Sequence, residues 1–439
     1  MAGPAPGVIV AAPASGQGKT VVTLSIIRAL TNYGLRVAAA KAGPDYIDPA
    51  FHAAAGGTPC FNLDPWAMRL ETLAGLAGRL GEGADLIVCE GVMGLFDGAA
   101  DASGSTADLA AMTGWPVVLV VDVRGQGASV AALLRGFAGH RRDVELAGVI
   151  LNRVGSDRHA DILTGAIRES VPDLPVLGCL PRDQALALPD RHLGLVQAVE
   201  HPALEDFLEG AAEIVRKSID LRALRRIARR APPGHVELAP LPPLGQRIAV
   251  ARDEAFAFSY ASVLEGWRAQ GAELSFFSPL ADEPPDGGAD AVCLPGGYPE
   301  LHAGRLAGNG RFLGGLRAAA ARAAAVFGEC GGYMVLGAGL VDADGARHAM
   351  AGLLPLEASF SERRLHLGYR VATVASDSPL GGAGLCYTGH EFHYATVLSE
   401  GPADPLFTVA DAKDADLGRA GLVAGRVAGS FIHLIDRAE

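Results

Sequence analysis

Residues Val8–Thr20 read VIVAAPASGQGKT and lead directly into the apolar segment VVTLSIIRAL, residues 21–30. The run VIVAA is continuously apolar, as is typical of a strand buried on both faces of a parallel sheet. Gly16 and Gly18 follow, and glycine adopts the backbone conformations that a tight turn needs. The sequence therefore predicts a buried strand, a glycine turn and a helix, which is the unit from which α/β domains are built.

The turn between this strand and this helix has the composition of a phosphate-binding loop. Glycines let backbone amides converge on phosphate oxygens, the helix start adds its positive end, a lysine neutralises charge and a threonine can hold Mg²⁺. The segment resembles a P-loop, but Pro13 stands where the first glycine would be, so it is most similar to the variant loops of dethiobiotin synthetase and its relatives. A glycine turn without a ligand is the alternative, and the flanking strand and helix favour a phosphate loop. We expect the nucleotide to contact Ser15, Gly16, Gln17, Gly18, Lys19 and Thr20.

Short apolar runs alternate with helical stretches along much of the chain. They are Val8–Ala12, Val37–Ala40, Leu86–Cys89, Val117–Val123, Val149–Leu151 and Val176–Leu180, followed by Ile248–Ala251, Leu274–Phe277, Ala291–Leu294 and Ala325–Gly328. This alternation predicts βαβ units around mostly parallel sheets, whose ligands collect at the carboxyl ends of the strands. After about residue 340 the sequence becomes richer in β-type segments and glycine.

The length of 439 residues suits two domains. The segment APPGHVELAPLPPLGQ at 231–246 is rich in proline and resists regular structure, and the stretch before it is basic. We therefore predict a nucleotide-binding domain at 1–220, a linker at 221–246 and a second α/β domain at 247–439.

Composition and charge exclude several classes of function. The net charge of −12 argues against nonspecific nucleic-acid binding, because a phosphate backbone demands a basic surface. The N-terminus has no basic stretch before an apolar run, and no apolar segment approaches the roughly 20 residues of a membrane helix, so we expect a cytoplasmic protein with no membrane partner. The six cysteines lack Cys-x-x-Cys spacing, which indicates reduced thiols rather than disulfides or structural zinc.

Acidic residues lie near the ends of two predicted strands. KAGPDYIDPAFH contains Asp45 and Asp48, and LIVCE ends at Glu90, just before GVMGLFDG with Asp97. Carboxylates at strand ends beside a phosphate loop suit Mg²⁺, which prefers oxygen ligands and bridges substrate phosphates. Any one of these acids could instead be solvated or cap a helix, and the residues alone do not decide which of them contact metal.

Two further strand ends carry candidate ligands for the nucleotide. Asn152 ends the strand AGVILN, and Pro181 follows LGCL. At these positions the base or the substrate could be held, and a purely structural role is equally consistent with the residues.

The second half of the chain contains a candidate cysteine nucleophile. The predicted strand AAAVFGE runs into Cys330, which is followed by Gly331, Gly332 and a predicted helix. A sharp strand-to-helix turn exposes a nucleophile, and the helix start is expected to lower the pKa of the thiol. The other cysteines in apolar strands are interpreted as core residues, namely Cys89, Cys179 and Cys293.

Other segments could complete a site around this cysteine. CLPGGYPE places Gly296 and Gly297 after a strand, where backbone amides could stabilise an oxyanion. GSFIHLID near the C-terminus supplies His433, which can act as a general base if the fold brings it to Cys330.

The blocks SGQGKT, KAGPDYIDP, EGVMGLFDG, LNRVGS, LPGGYPE, GECGGYM, LGYR and GHEFHY resemble, in order, those of the cobyrinic acid a,c-diamide synthases, including the hydrogenobyrinic acid enzymes. The resemblance extends over essentially the whole chain. It implies a P-loop-type, dethiobiotin synthetase-like parallel sheet domain, followed by a class I glutamine amidotransferase-like α/β domain. It also implies amidation of the a and c carboxylates of cobyrinic or hydrogenobyrinic acid in cobalamin biosynthesis, with ATP, Mg²⁺ and glutamine, and it allows a homodimer.

The resemblance implies a role for each candidate residue. Cys330 becomes the glutaminase nucleophile and His433 its partner, with the oxyanion held by Gly296, Gly297 and Gly331. In the synthetase domain, Asn152 and Pro181 join the phosphate loop as cofactor-binding residues. The expected metal ligands are Thr20, Asp45 and Glu90, and the expected substrate contacts are Lys41, Tyr46, Asp48 and Asp97.

One feature departs from the wider class of triad amidotransferases. Those enzymes carry an acid two positions after the histidine, whereas this chain has Ile435, as the resembled family also lacks that acid. The group that orients His433 is therefore unidentified. Two alternative functions are a cobyric acid synthase that amidates other corrinoid carboxylates, and a non-enzymatic partitioning or scaffold ATPase with a decayed glutaminase domain.

Overall fold

The structure is a computed structural model that describes residues 5–188, 190–191, 194–232 and 240–438. Within these ranges the chain divides into two compact units. The first contains residues 5–66 and those from 73 to 232, and the second contains 67–72 and those from 240 onward. Part of the predicted linker, residues 233–239, lies outside the described residues. In the described chain, no helix combines the length and the apolar character needed to cross a bilayer.

The first unit alternates strands and helices, as the sequence predicts. Its strands are β1 Pro6–Ala11, β2 Val37–Ala42, β3 Phe61–Leu63, β4 Leu86–Glu90, β5 Val117–Asp122, β6 Leu146–Val154, β7 Val176–Pro181, β8 Asp190–Arg191, β9 Gly194–Leu195 and β10 Arg229–Arg230. Its helices are α1 Lys19–Asn32, α2 Asp48–Gly56, α3 Leu70–Gly81, α4 Thr106–Thr113, α5 Val130–His140, α6 Asp157–Ser170, α7 Leu204–Ser218 and α8 Leu221–Ile227, with 3₁₀ turns at Gln184–Leu186 and Ala198–Glu200.

The main sheet of this unit has the order β3-β2-β4-β1-β5-β6-β7, and these strands pair in parallel. β10 adds to β1 in antiparallel orientation. Every residue of β4 and β5 is buried, which agrees with their continuously apolar sequences. The carboxyl ends of β1, β2, β4, β6 and β7 therefore lie at one edge of the sheet, where ligands of α/β domains bind.

The second unit is richer in strands. They are β11 Arg247–Ala251, β12 Glu273–Phe277, β13 Ala291–Leu294, β14 Ala325–Glu329, β15 Gly339–Val341, β16 Arg347–Ala349, β17 Leu356–Ser359, β18 His366–Val374, β19 Cys386–His393, β20 Thr396–Glu400, β21 Asp404–Ala410, β22 Asp416–Ala424, β23 Val427–Ser430 and β24 Ile432–Arg437. Its helices are α9 Ala261–Ala269, α10 Ala303–Gly308, α11 Gly310–Ala321 and α12 Gly331–Leu336, with 3₁₀ turns at Pro279–Ala281 and Pro299–His302.

A ten-stranded mixed sheet organises the second unit, in the order β12-β11-β13-β14-β23-β22-β21-β18-β19-β24. The pairs from β12 to β23 are parallel, and those from β23 to β24 are antiparallel. A smaller sheet has the order β16-β15-β17-β20. Apolar residues such as Leu294, Phe312 and Val326 form the core around β13 and β14, which positions the strand that leads to Cys330.

Residues 67–72 belong to the second unit although they stand early in the sequence. The carboxylate of Asp436 in β24 is fully buried and accepts hydrogen bonds from Arg69, at 3.0 Å from Nη2 and at 2.9 Å from the backbone N–H. The Thr388 hydroxyl donates a hydrogen bond to the carbonyl of Ala67. Asp436 is therefore bonded within this early segment rather than free to contact His433.

We expect Arg69→Ala to destabilise the second unit by about 3 kcal/mol, because it leaves the buried Asp436 carboxylate without its cation. Urea unfolding followed by circular dichroism would measure the change. The double variant with Asp436→Asn should recover part of the loss, since no buried charge remains. A loss of less than about 0.5 kcal/mol for Arg69→Ala would contradict the assignment of this pair as a buried ion pair.

Candidate functional sites

The loop between β1 and α1 has the backbone conformation of a phosphate-binding turn. Gly16 and Gly18 have φ values of 77° and 87°, in the left-handed region that glycine adopts without strain. Gly18 is the N-cap of α1, so the positive end of that helix lies at the loop. The side chain of Asn152 donates a hydrogen bond of 2.8 Å to the carbonyl of Gln17, so the end of β6 holds the loop in place.

A cavity of about 450 Å³ lies beside the phosphate loop. Its lining includes Gly18, Asn152, Pro181 and Arg153. The Arg153 guanidinium also donates a hydrogen bond of 3.1 Å to the carbonyl of Gly16. The two strand-end residues predicted for the nucleotide thus share one cavity with the loop, and the Arg153 guanidinium that also lines it is paired with Asp122 at 2.6 Å.

Lys19 and Thr20 begin α1 and face the ends of neighbouring strands. Lys19 Nζ donates a hydrogen bond of 2.8 Å to the carbonyl of Met93. Burial lowers the pKa of Lys19, and the Glu90 carboxylate opposes this shift. The Thr20 hydroxyl lies 2.8 Å from Glu90 Oε1 and 3.3 Å from Asp48 Oδ2. A hydroxyl and two carboxylates therefore lie close enough together to bind one cation.

A buried group of charges surrounds this hydroxyl. Lys41 Nζ lies 2.5 Å from Asp48 Oδ2 and 3.1 Å from Glu90 Oε1, and His52 Nε2 lies 2.5 Å from Glu90 Oε2. Burial opposes the charge of Lys41, but the Asp48 and Glu90 carboxylates raise its pKa overall. Burial raises the pKa of Asp48 to about 6. Burial acts in the same direction on Glu90, but the ammonium of Lys41 and the His52 bond hold its pKa well below the usual range.

Asp45 shapes the loop that precedes α2. Its Oδ1 accepts hydrogen bonds from the backbone N–H groups of Ile47, at 2.8 Å, and Asp48, at 2.9 Å. Tyr46, which directly follows Asp45, is buried. The sequence predicts that Asp45 binds metal and that Asp48 contacts substrate. In the structure, Asp48 is the residue that contacts Thr20, the other predicted metal ligand.

Asp97 holds the loop that follows β4. Its Oδ2 accepts a hydrogen bond of 2.8 Å from the N–H of Gly94. A Cβ on Gly94 would lie 2.6 Å from the carbonyl oxygen of Pro13, so this loop packs closely against the phosphate loop. The backbone N–H of Leu95 donates to the carbonyl of Ala12 at 2.8 Å. The structure therefore brings the block EGVMGLFDG and the phosphate loop together.

Sequence reasoning missed His52. The residue is fully buried in α2 and bonds Glu90, which is also fully buried. It stands four residues after Asp48, so both side chains lie on the same face of the helix. That spacing was the available signal, and it could have placed His52 beside the strand ends once α2 was assigned.

In the second unit, Cys330 occupies the predicted strand-to-helix turn. β14 ends at Glu329 and α12 begins at Gly331. Cys330 has φ 49° and ψ −104°, a combination that non-glycine residues rarely adopt and that functional sites tend to retain. A Cβ on Gly332 would lie 2.0 Å from the carbonyl oxygen of Leu294, so only glycine lets α12 approach β13 this closely.

Cys330 and His433 approach each other at Gly296. A Cβ on Gly296 would lie 2.9 Å from His433 Nε2 and 3.3 Å from Cys330 Cβ. The two side chains therefore flank the same small space, although β14 and β24 are far apart in the sequence and in the order of the sheet. The absence of a side chain at Gly296 leaves that space open.

The thiol and the imidazole are both neutral in this structure. Burial raises the pKa of Cys330 well above its usual value, the charge of Glu300 adds to this effect, and the backbone amide of Gly331 acts against it. Burial lowers the pKa of His433 to about 3, and His390 contributes in the same direction. The His433 imidazole is therefore unprotonated at neutral pH. The start of α12 therefore acts in the expected direction through the Gly331 amide, but burial outweighs it and the thiol pKa rises overall.

The three glycines predicted to hold an oxyanion lie around Cys330. The N–H of Phe258 donates a hydrogen bond of 3.0 Å to the carbonyl of Gly296. Because the C=O and N–H of a trans peptide point in opposite directions, the amide of Gly297 points away from Phe258. A Cβ on Gly331 would lie 3.1 Å from the Gly297 nitrogen, so these backbones are close neighbours.

Each unit matches a known domain family. Residues 8–196 match the CobQ/CobB/MinD/ParA nucleotide binding domain, and residues 247–439 match the CobB/CobQ-like glutamine amidotransferase domain. Both predicted fold classes are confirmed.

Relatives align with nearly the whole chain. A Sinorhizobium protein named hydrogenobyrinate a,c-diamide synthase is 59% identical over 434 residues, which are 98% of this chain and 99% of that protein. Proteins of the same name from Brucella anthropi and Rhodobacter capsulatus are 58% and 55% identical, each over 98% of both chains. The chain belongs to the hydrogenobyrinate a,c-diamide synthase family. The protein is therefore an amide-forming ligase with a glutamine amidotransferase domain, as the sequence predicts.

We expect Gly18→Ala to weaken ATP binding at least about tenfold, because the new Cβ would lie 2.4 Å from Asn152 Nδ2 and would displace the side chain that holds the loop. Calorimetric titration with ATP and Mg²⁺ would measure the affinity. Gly57→Ala is the matched control, since Gly57 also has a positive φ, of 71°, but a Cβ there meets no atom within 4 Å. Equal losses of affinity in both variants would contradict this interpretation.

Proposed function

We propose that the protein amidates the a and c carboxylates of hydrogenobyrinic acid, the metal-free corrinoid, with ATP hydrolysis and with glutamine as the nitrogen source. The names of relatives that are 55–59% identical along the chain support this substrate. The observation that carries the proposal is that Cys330 and His433 flank Gly296 in a chain that also has a phosphate loop at Gly18. One half can release ammonia, and the other can activate the acid that receives it.

The synthetase domain makes an unreactive carboxylate reactive. Transfer of the γ-phosphoryl group of ATP to a corrinoid carboxylate oxygen gives an acyl phosphate and ADP. Negative charge that develops on the phosphoryl oxygens meets Lys19 and the backbone amides of Gly16 and Gly18. Ammonia then attacks the acyl carbon, and phosphate leaves as the amide forms. Asn152 and Pro181 hold the nucleotide in the cavity beside the loop.

The oxygen cluster at Thr20 suits Mg²⁺. We assign Thr20, Glu90 and Asp48 as the residues that hold it, because the hydroxyl lies 2.8 Å and 3.3 Å from the two carboxylates. A bound Mg²⁺ supplies positive charge that neutralises nucleotide phosphates. Lys41 shares both carboxylates and compensates their charge. Asp45 supports the loop that carries Asp48, and Tyr46 and Asp97 contribute to substrate binding at the same edge.

The glutaminase domain releases the nitrogen. His433 accepts the thiol proton while Cys330 Sγ attacks the side-chain amide carbon of glutamine, and the oxyanion is stabilised by the amides of Gly297 and Gly331. The proton passes to the leaving nitrogen, ammonia departs and a thioester remains. Water then hydrolyses the thioester to glutamate and free Cys330.

We expect purified protein with ATP, Mg²⁺, glutamine and hydrogenobyrinic acid to yield a product in which two carboxylates have become amides. Each amidation replaces OH by NH₂, so mass spectrometry counts the amides directly. A product with more than two new amides would indicate the cobyric acid synthase alternative, and unmodified ring acid with continuing ATP hydrolysis would indicate the partitioning ATPase. A parallel incubation with cobyrinic acid tests the preference for the metal-free ring.

We expect Cys330→Ala to abolish glutamine hydrolysis and glutamine-dependent amidation, because the nucleophile is lost, while amidation with ammonium chloride continues near the wild-type rate. Glutamate release and ring-product mass are the measurements. Lys19→Ala is the complementary variant and should slow amidation from both nitrogen sources, since it acts on phosphoryl transfer. Glutaminase activity that survives in Cys330→Ala would refute the nucleophile assignment.

A further inference from the structure

The strand that carries His433 lies at the margin of its sheet. β24 pairs with β19 and is the last strand in the order of the ten-stranded sheet, as far as the described chain shows. β14, which leads to Cys330, pairs instead with β13 and β23. β14 and β24 are thus not ladder partners, and the nearest backbone bond is that from the Cys330 N–H to the carbonyl of Ser430, three residues before His433.

The side chain of Glu329 links these two strands. Its Oε1 accepts a hydrogen bond of 3.0 Å from the backbone N–H of Leu434. That N–H belongs to the peptide that joins His433 to Leu434, so the bond fixes the backbone on one side of His433. Glu329 is also the residue directly before Cys330. One hydrogen bond thus links the side chain of the residue before the nucleophile to the peptide that follows the base.

The position of Glu329 is unfavourable for a carboxyl group. Glu329 lines a cavity of about 40 Å³ whose other lining residues include Val250, Leu264 and Phe327, and it is the one charged residue among those that line the cavity in the described chain. Its removal from water raises the pKa of Glu329 to about 7. An apolar side chain would suit these surroundings better, so stability alone does not account for an acid here.

Two other acids near His433, namely Asp436 and Glu391, are bonded to other side chains. Two places after His433 stands Ile435, which is buried. Asp436 is bonded to Arg69, as described above. Glu391 lies 2.8 Å from Arg370 Nε and 2.9 Å from His393 Nε2.

We propose that Glu329 is the positioning residue of the glutaminase site, and that it aims the His433 imidazole at Cys330 by fixing the peptide that follows His433. In triad amidotransferases, an acid two positions after the histidine orients the imidazole by bonding it directly. This chain has Ile435 at that position, and Glu329 orients the imidazole instead through the backbone next to His433. The inference rests on the proposed function, because it takes Cys330 as the nucleophile and His433 as the base.

Two substitutions separate this role from simple packing. Glu329→Gln keeps an Oε1 acceptor for the Leu434 N–H, so glutaminase kcat should stay within about threefold of wild type. Glu329→Met has similar length but no acceptor, so kcat should fall about 100-fold, as expected for a misplaced catalytic group, while KM for glutamine changes less than about threefold. Ammonium-dependent amidation should be unchanged in both variants, because it needs only the synthetase domain, and the nearly unchanged KM for glutamine reports that the glutaminase domain is folded.

The matched control is Glu400→Gln, which removes a carboxylate that accepts a hydrogen bond of 3.2 Å from the Tyr333 hydroxyl in the same domain. It should leave glutaminase kcat unchanged. A Glu329→Met variant that keeps wild-type kcat, or a Glu329→Gln variant that loses as much kcat as Glu329→Met, would overturn the positioning role. The proposed function fails by a different result, namely glutaminase activity in Cys330→Ala.

Discussion

The carboxyl ends of parallel strands lie at one edge of a sheet, and both sites of this protein depend on that constraint. In the first unit, β1 ends at the phosphate loop, β4 at Glu90 and β6 near Asn152. In the second unit, β13 ends just before the glycines at 296 and 297, and β14 ends just before Cys330. Hydrogen-bonded strands fix these ends relative to one another, so side chains that are remote in the sequence meet within a few ångströms.

Charge burial gives the synthetase site its rigidity. Lys41 lies between the carboxylates of Asp48 and Glu90, and the three groups compensate one another away from water. Removing one member would leave an uncompensated buried charge, which is far more costly than the intact cluster. A lysine suits this position because its ammonium is a compact point charge, whereas the planar arginine fork needs more room. The oxygen atoms around Thr20 are therefore held in place before any ligand arrives.

Burial has a different effect at the glutaminase site, where it keeps the side chains neutral instead of enclosing a set of compensating charges. With few charges to compensate, burial keeps Cys330 as a thiol and His433 as a neutral imidazole. In the proposed glutaminase reaction a neutral thiol must lose its proton as the carbon–sulfur bond forms, so the reaction needs a base beside the sulfur. Such a mechanism demands an accurately placed base, and the Glu329 side chain adds one hydrogen bond to β24 beyond those of its ladder partner β19.

The sequence by itself determined ten of the strands and the first helix. Continuous apolar runs predicted β1, β2, β4 to β7, β11 to β14 and α1, and the family blocks predicted roles for the phosphate loop, Cys330 and His433. These features are local, since they depend on apolar periodicity, glycine turns and motif spacing. Only the tertiary structure decided that Asp48 rather than Asp45 contacts Thr20 and that His52 bonds Glu90. It also decided that residues 67–72 belong to the second unit and that Glu329 bonds the N–H of Leu434. These contacts depend on which strands become neighbours and on how burial shifts the protonation of the groups that they bring together. Neither the strand pairing nor the burial is encoded in a local sequence pattern.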